Sequence, residues 1–259
     1  MRKEKVSFER GMYMIRITQL DYNRINNVLS QVYDEDRGGI FDNEEGVITL
    51  AYSYLDYVGE ITSGSSKLVY FPPDTNYVVK IPITGIIEEN YYSESDTIEV
   101  EEVVYDGFRT SSSCEDEMFL YKEAKVLGIS DFFPEIVEIE TILNEKVYAQ
   151  EKVEAFLSSD LTKTESVLQK TVDSKAKSSQ SQDIRTAEEQ WFEDNYLGYL
   201  GQVAEQEIIF RLIEQYGIDK VKKLNTFCKL HDINDIKYYN VGVNSKGKIV
   251  IFDYSGWGN

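Results

Sequence analysis

The chain has 259 residues, with 27 Lys and Arg against 46 Asp and Glu, for a formal net charge of −19. Such an acidic balance argues against non-specific binding to nucleic acid or to an anionic membrane. With 42% hydrophobic and 13% aromatic residues the sequence can fill a core, either as one large domain or as two small lobes, and does not read as disordered.

Taken in chain order, residues 12–33 place Ile25, Val28, Leu29 and Val32 on one helical face. Gly38-Gly39 and Asp42-Asn43 separate this segment from the next. Residues 55–82 read as β-rich. Leu68-Val69-Tyr70 leads into a turn signal over 71–76, and Tyr77-Val78-Val79-Lys80-Ile81 returns and should stop at Pro82. Residues 86–112, acidic and Tyr-rich, read as an insertion or long loop with short strands at 98–100 and 103–105. A helix is expected over 114–128, with Ser113 as N-cap and Gly128 near its end. Residues 136–140 and 146–149 read as a hairpin. The polar tract 158–188 is the best linker candidate. Helices are expected over 190–216 and 218–230, split at Gly217. A hairpin of 241–243 and 249–252, turning at Asn244-Ser245-Lys246-Gly247, closes the chain.

The two cysteines, Cys114 and Cys228, have no metal-ligand spacing and form no disulfide framework, which fits a reducing compartment and a cytoplasmic location. The charged start Met1-Arg-Lys-Glu-Lys lacks the apolar run of a signal peptide, and no transmembrane run is found. His231 is the only histidine, so a Ser-His-Asp triad or a His-rich metal site would have to use it.

The chemistry-bearing set lies near the end: Asp235, Asn240 five residues on, and Asp253 closing the apolar run Ile249-Val250-Ile251-Phe252. Phosphoryl transfer develops charge that a Mg²⁺ ion bridging phosphate oxygens can neutralise, and hard oxygen ligands such as Asn and Asp suit that ion. A carboxylate beside the acceptor hydroxyl can orient it and take its proton. Singly, each of these residues is better explained as a turn residue. Their order around a hairpin favours a phosphotransferase site.

Asp235-Ile236-Lys237-Tyr238-Tyr239-Asn240 resembles the catalytic loop of protein kinases, and Asp253-Tyr254-Ser255-Gly256 resembles their metal-binding Asp-Phe-Gly segment with one residue inserted. The Ser-Gly form is also similar to kinase-like chains of tailed bacteriophages and, more distantly, to aminoglycoside phosphotransferases. The resemblance implies Asp235 as catalytic base, Lys237 as a phosphate contact, and Asn240 and Asp253 as Mg²⁺ ligands. Upstream, the segment from Gly59 through Gly64-Ser65-Ser66 resembles a Gly-rich nucleotide loop, whose small residues let backbone N–H groups approach phosphates. Lys80 is similar to the ATP-contacting lysine, with Glu123 chosen as its carboxylate partner and Glu117 as runner-up. The segment around Glu151 resembles the interlobe hinge, where backbone groups would meet adenine. Ile233-Asn234 departs from the His-Arg pair that usually precedes the catalytic Asp, which argues against control by a phosphorylated activation loop.

The implied fold is α+β, protein kinase-like and two-lobed, with an antiparallel β N-lobe over 57–152 and a truncated, mostly helical C-lobe over 153–259. Residues 1–56 would be a helical extension, its helix a candidate addition to the small C-lobe, and 158–188 a flexible insert. The implied ligands are ATP and Mg²⁺, and the implied partner is a protein substrate or a host protein. The competing expectations are a pseudokinase that captures a partner through its acidic surface, and an acidic mimic of nucleic acid.

Overall fold

Residues 15–36, 38–42, 59–63, 67–94, 97–105, 111–156 and 198–254 are described by the computed structural model. The tract 158–188, the start of the helix expected over 190–216, and Gly64-Ser65-Ser66 lie outside these residues.

Helix α1 (Gln19–Val32) starts later than the expected residue 12 because Thr18 caps it. The Thr18 hydroxyl accepts from the Asp21 N–H while the Asp21 carboxylate accepts from the Thr18 N–H, each at 3.1 Å. This reciprocal arrangement satisfies two donors at the helix start. Strands β1 (Tyr33–Asp34) and β2 (Gly39–Asp42) follow, then β3 (Glu60–Ser63), β4 (Lys67–Phe71) and β5 (Tyr77–Pro82). Pro82 ends β5 as expected. The stretch read as an insertion or long loop is instead a long hairpin of β6 (Gly85–Glu94) and β7 (Thr97–Tyr105), with β6 pairing parallel to β2. Its signal was weak because no Asn-Gly or Asp-Gly marks the turn.

Helix α2 (Ser111–Val126) includes Ser113 within its first turn, so the expected N-cap lies inside the helix. After a 3₁₀ turn (Ser130–Phe132) come β8 (Ile136–Glu140), β9 (Lys146–Glu151) and β10 (Val153–Ala155). The segment expected as one helix over 190–216 contains α3 (Tyr199–Val203) and α4 (Gln206–Tyr216), with Ala204 and Glu205 in extended conformation between them. Helix α5 (Ile218–Leu230) matches its expected span. A second 3₁₀ turn (Tyr238–Asn240) leads to β11 (Val241–Asn244) and β12 (Ile249–Ile251).

The class is α+β. Five strands form an antiparallel sheet in the order β3-β4-β5-β9-β8, and β10-β11-β12 form a second antiparallel sheet. The register sorts the larger sheet into two faces, because successive side chains alternate and paired residues share a face. Leu68, Tyr70, Val79, Ile81, Val147 and Ala149 form one apolar cluster with Ile25, Val28, Leu29 and Val32 of α1. The N-terminal helix therefore covers the sheet and does not join the C-terminal helices, which corrects its expected place in the C-lobe. The opposite face carries Lys67, Lys80, Tyr148 and Gln150. It turns toward α2 and a second cluster, which includes Tyr148, Ile136, Tyr121 and Phe133 together with Ile208, Leu212, Leu224 and Phe227 of α4 and α5. The chain passes from the first sheet to the second through Glu151, Lys152 and Val153. Among the described residues no helix is long and apolar enough to cross a membrane.

Candidate phosphate and metal site

Glu117 is the centre of the site. It lies on the buried face of α2, three residues after Cys114 and four before Tyr121, and is completely buried. Its Oε2 accepts from Lys80 Nζ at 2.6 Å and from Gln150 Nε2 at 3.1 Å, and its Oε1 accepts from Lys67 Nζ at 2.8 Å. Lys67 pairs with Pro82 across β4 and β5 while Lys80 pairs with Val69, so the two lysines are diagonal neighbours on one face. Lys67 also donates to Asp253. Two ammonium groups and two carboxylates thus balance, with Lys67, Lys80 and Glu117 buried and Asp253 half-exposed.

The same network orders the ionisation. Burial opposes the charge on Lys67, yet Glu117 and Asp253 outweigh it and hold its pKa above the usual lysine value. Burial pushes the Asp253 carboxyl up, but Lys67 and Lys80 more than reverse this and hold it below the usual carboxylate range. Asp253 has φ of 54°, the left-handed region that Asp tolerates better than most residues. This turn takes the chain out of β12 at the point where the Asp253 carboxylate meets Lys67. Next to it, the Tyr254 ring packs against Phe133 with centroids 4.5 Å apart, and its hydroxyl donates to the Glu117 carbonyl at 3.0 Å. Asp253-Tyr254 and Glu117 of α2 are therefore fastened together by side chain and main chain.

Asp235 sits between two buried anchors, Ile233 and Ile236. The Ile236 N–H donates to the Val203 carbonyl at 3.2 Å, pinning the loop to the end of α3. The Asn240 amide donates to the Asp235 carbonyl at 3.0 Å and to its Oδ2 at 2.9 Å, stapling the loop onto itself. The Tyr239 hydroxyl donates to Asp235 Oδ1 at 3.0 Å, a bond that raises the Tyr239 phenol above its usual value. The Asn240 carbonyl in turn accepts from the Phe252 N–H at 2.9 Å, joining this loop to the residue beside Asp253. Lys237 is half-buried just before the 3₁₀ turn.

Asp253 and Asn240 fit a divalent cation by chemistry. Both offer hard oxygens, and the half-exposed Asp253 carboxylate already holds a positive charge, the Lys67 ammonium. Among the described residues no group of three or more His, Cys, Asp or Glu forms a closed metal cage, so phosphate oxygens and water would complete the coordination.

Several expected roles change. Glu123 does not meet Lys80. It lies six residues beyond Glu117, roughly a third of a turn away around the helix, with Oε2 2.8 Å from His231 Nε2. That contact lacks hydrogen-bond alignment. Gly59, expected at the phosphates, is at the far end of the β3–β4 hairpin from Lys67. Its φ is 128°, and a Cβ there would come within 2.5 Å of the Phe71 carbonyl, so packing accounts for this glycine. Glu151 is buried at the crossing between the sheets. Its N–H donates to the Glu135 carbonyl at 2.7 Å and its Oε1 accepts from the Ser245 hydroxyl at 2.9 Å. The N–H of Lys152 donates to the Asn76 carbonyl at 2.8 Å. Two of the backbone donors in the segment expected to meet adenine are thus engaged within the protein.

Sequence reasoning assigned no role to Lys67 or Gln150 and ranked Glu117 second. The signal for Glu117 was present in its helical phase. Lys67 becomes visible only through strand register. No known family, curated protein or solved structure matches the chain.

Proposed function

We propose that the protein is an ATP- and Mg²⁺-dependent phosphotransferase of protein kinase-like type, with the five-stranded sheet and α1–α2 as its nucleotide lobe and the second sheet with α3–α5 as a small second lobe. The observation that carries this reading is the buried Lys80–Glu117 pair, linked through Lys67 to an Asp253 whose neighbour is bonded to the Asn240 loop. A lysine held by a buried carboxylate, opposite an Asp and an Asn on adjoining turns, is the arrangement phosphoryl transfer uses.

In this reading Lys80, oriented by Glu117, binds phosphate oxygens. Asp235, held by Asn240 and Tyr239, orients the acceptor hydroxyl and takes its proton as the new oxygen–phosphorus bond forms. The bond from phosphorus to the bridging oxygen breaks, and its electron pair leaves with the nucleoside diphosphate. Asn240 and Asp253 would hold Mg²⁺, which when bound would neutralise charge on the phosphates. The buried residues around Glu117 limit water near the transferring group.

The test is a thermal-shift titration with Mg-ATP on the wild type and Asp253→Ala. A stabilisation of the wild type that disappears in the variant is expected. A folded wild type that does not respond to millimolar Mg-ATP overturns the reading.

The occupied N–H groups of Glu151 and Lys152 favour a second reading, a kinase-like binding module that captures a partner through its acidic surface. Partner binding that survives Asp235→Ala, with no turnover in either protein, would favour it.

A further inference from the structure

The role of Lys67 rests on the charge balance of the pocket. Lys80 alone neutralises Glu117, so the second ammonium needs a second carboxylate, which is Asp253. The two partners face different surroundings: the Lys67 side chain is 7% exposed, while that of Asp253 is 45% exposed. A cation from solvent can therefore reach Asp253 from the open side, whereas Lys67 approaches it from within the protein. Lys67 is also anchored independently of Asp253, by the 2.8 Å bond to Glu117. After giving up Asp253 it keeps a hydrogen-bonded carboxylate partner, shared with Lys80, and the positive charge left over is open to an incoming anion.

We propose that Lys67 is the internal counter-ion of the metal position. It holds Asp253 while no divalent cation is bound, and it releases the carboxylate when one binds. Still fixed on Glu117, it is then presented beside Lys80 as a second ammonium for the nucleotide's phosphate chain. The last step rests on the phosphotransferase reading, whereas the exchange at Asp253 does not.

The test uses Mn²⁺ alone, without nucleotide, on the full chain, with binding followed by electron paramagnetic resonance. Removing a competitor that occupies Asp253 about nine-tenths of the time should tighten Mn²⁺ binding about tenfold. Lys67→Met should show that gain, and Lys67→Met/Asp253→Asn should lose it. Equal or weaker binding by folded Lys67→Met, or no Mn²⁺ binding by either protein, overturns the proposal. A second measurement avoids the variant. The ¹⁵N resonance of the wild-type Lys67 ammonium should move, on saturation with diamagnetic Mg²⁺, toward its position in metal-free Asp253→Asn, and the resonance in Asp253→Asn should not respond to metal. A Lys67 resonance unchanged by saturating Mg²⁺ also overturns it. If the Mn²⁺ results hold but Mg-ATP gives no thermal shift, the phosphotransferase reading fails and the counter-ion role stands. The reverse pattern removes the counter-ion role alone.

Discussion

Glu117 and Glu123 share one helix and one charge, yet their surroundings give them very different weights. Glu117 is fully buried and bonded to two lysines, whereas the Glu123 side chain is 40% exposed and lies 2.8 Å from His231 Nε2. Removing one member of a buried ionic group leaves the others uncompensated and typically costs about 3–5 kcal/mol. An exposed pair contributes about 0–1 kcal/mol. Glu117→Ala should therefore lower stability by about 3–5 kcal/mol in urea unfolding, and Glu123→Ala by no more than about 1 kcal/mol. Equal losses in the two variants would contradict the assignment of Glu117 as the shared counter-ion. The distinction is legible in the sequence. Cys114, Tyr121 and Ala124 lie three, four and seven positions from Glu117, the spacing of one helical face. The expected partner of Lys80 is Glu123, whereas helical phase points to Glu117.

At the scale of elements, segments whose pattern is local were read well. The β8–β9 hairpin, the strand bearing Lys80, α5 and the closing hairpin each have periodicity and turn residues within a short window. What escaped depends on distant partners. Lys67 meets Glu117 across 50 residues and Asp253 across 186, contacts set by the register of β4 against β5 and by how α2 docks. Nothing in a short window of sequence encodes such a meeting. The pairing of β10 with β11 is another long-range feature, and a close backbone approach reveals it. Gly242 lies opposite Ala155, and a Cβ on Gly242 would stand 2.2 Å from the Glu154 carbonyl. The obstacle is backbone, so it cannot swing aside. Gly242→Ala should destabilise the protein by about 1–3 kcal/mol, the usual penalty for overpacking. It should also speed hydrogen exchange in β10 and β11 before it does so in β4 and β5. An unchanged urea midpoint would mean that the two strands are not in this close register.

For the whole molecule, the sheet is the wall between two apolar clusters, and β9 belongs to both. Val147 and Ala149 pack toward α1, while Tyr148 packs toward α2 and the C-terminal helices. The lysines of the site sit on the inner face of that wall, so their positions depend on an outer cluster that contains none of the proposed chemistry. Leu29 is fully buried on α1 within the outer cluster. Leu29→Ala removes buried methyl groups and leaves a cavity, for which a loss of about 2–5 kcal/mol is typical. If the sheet couples the clusters, this loss should appear equally in the hydrogen-exchange protection of β9 and of α5, although α5 belongs to the other cluster. Protection lost in α1 and β9 but retained in α5 would instead show that the C-terminal part keeps its structure when the sheet opens. The coupled outcome would make α1 a structural requirement for holding Lys67 and Lys80 against Glu117. It would explain why the segment before the sheet, which the site chemistry leaves unused, is bound so closely to the strands that carry it.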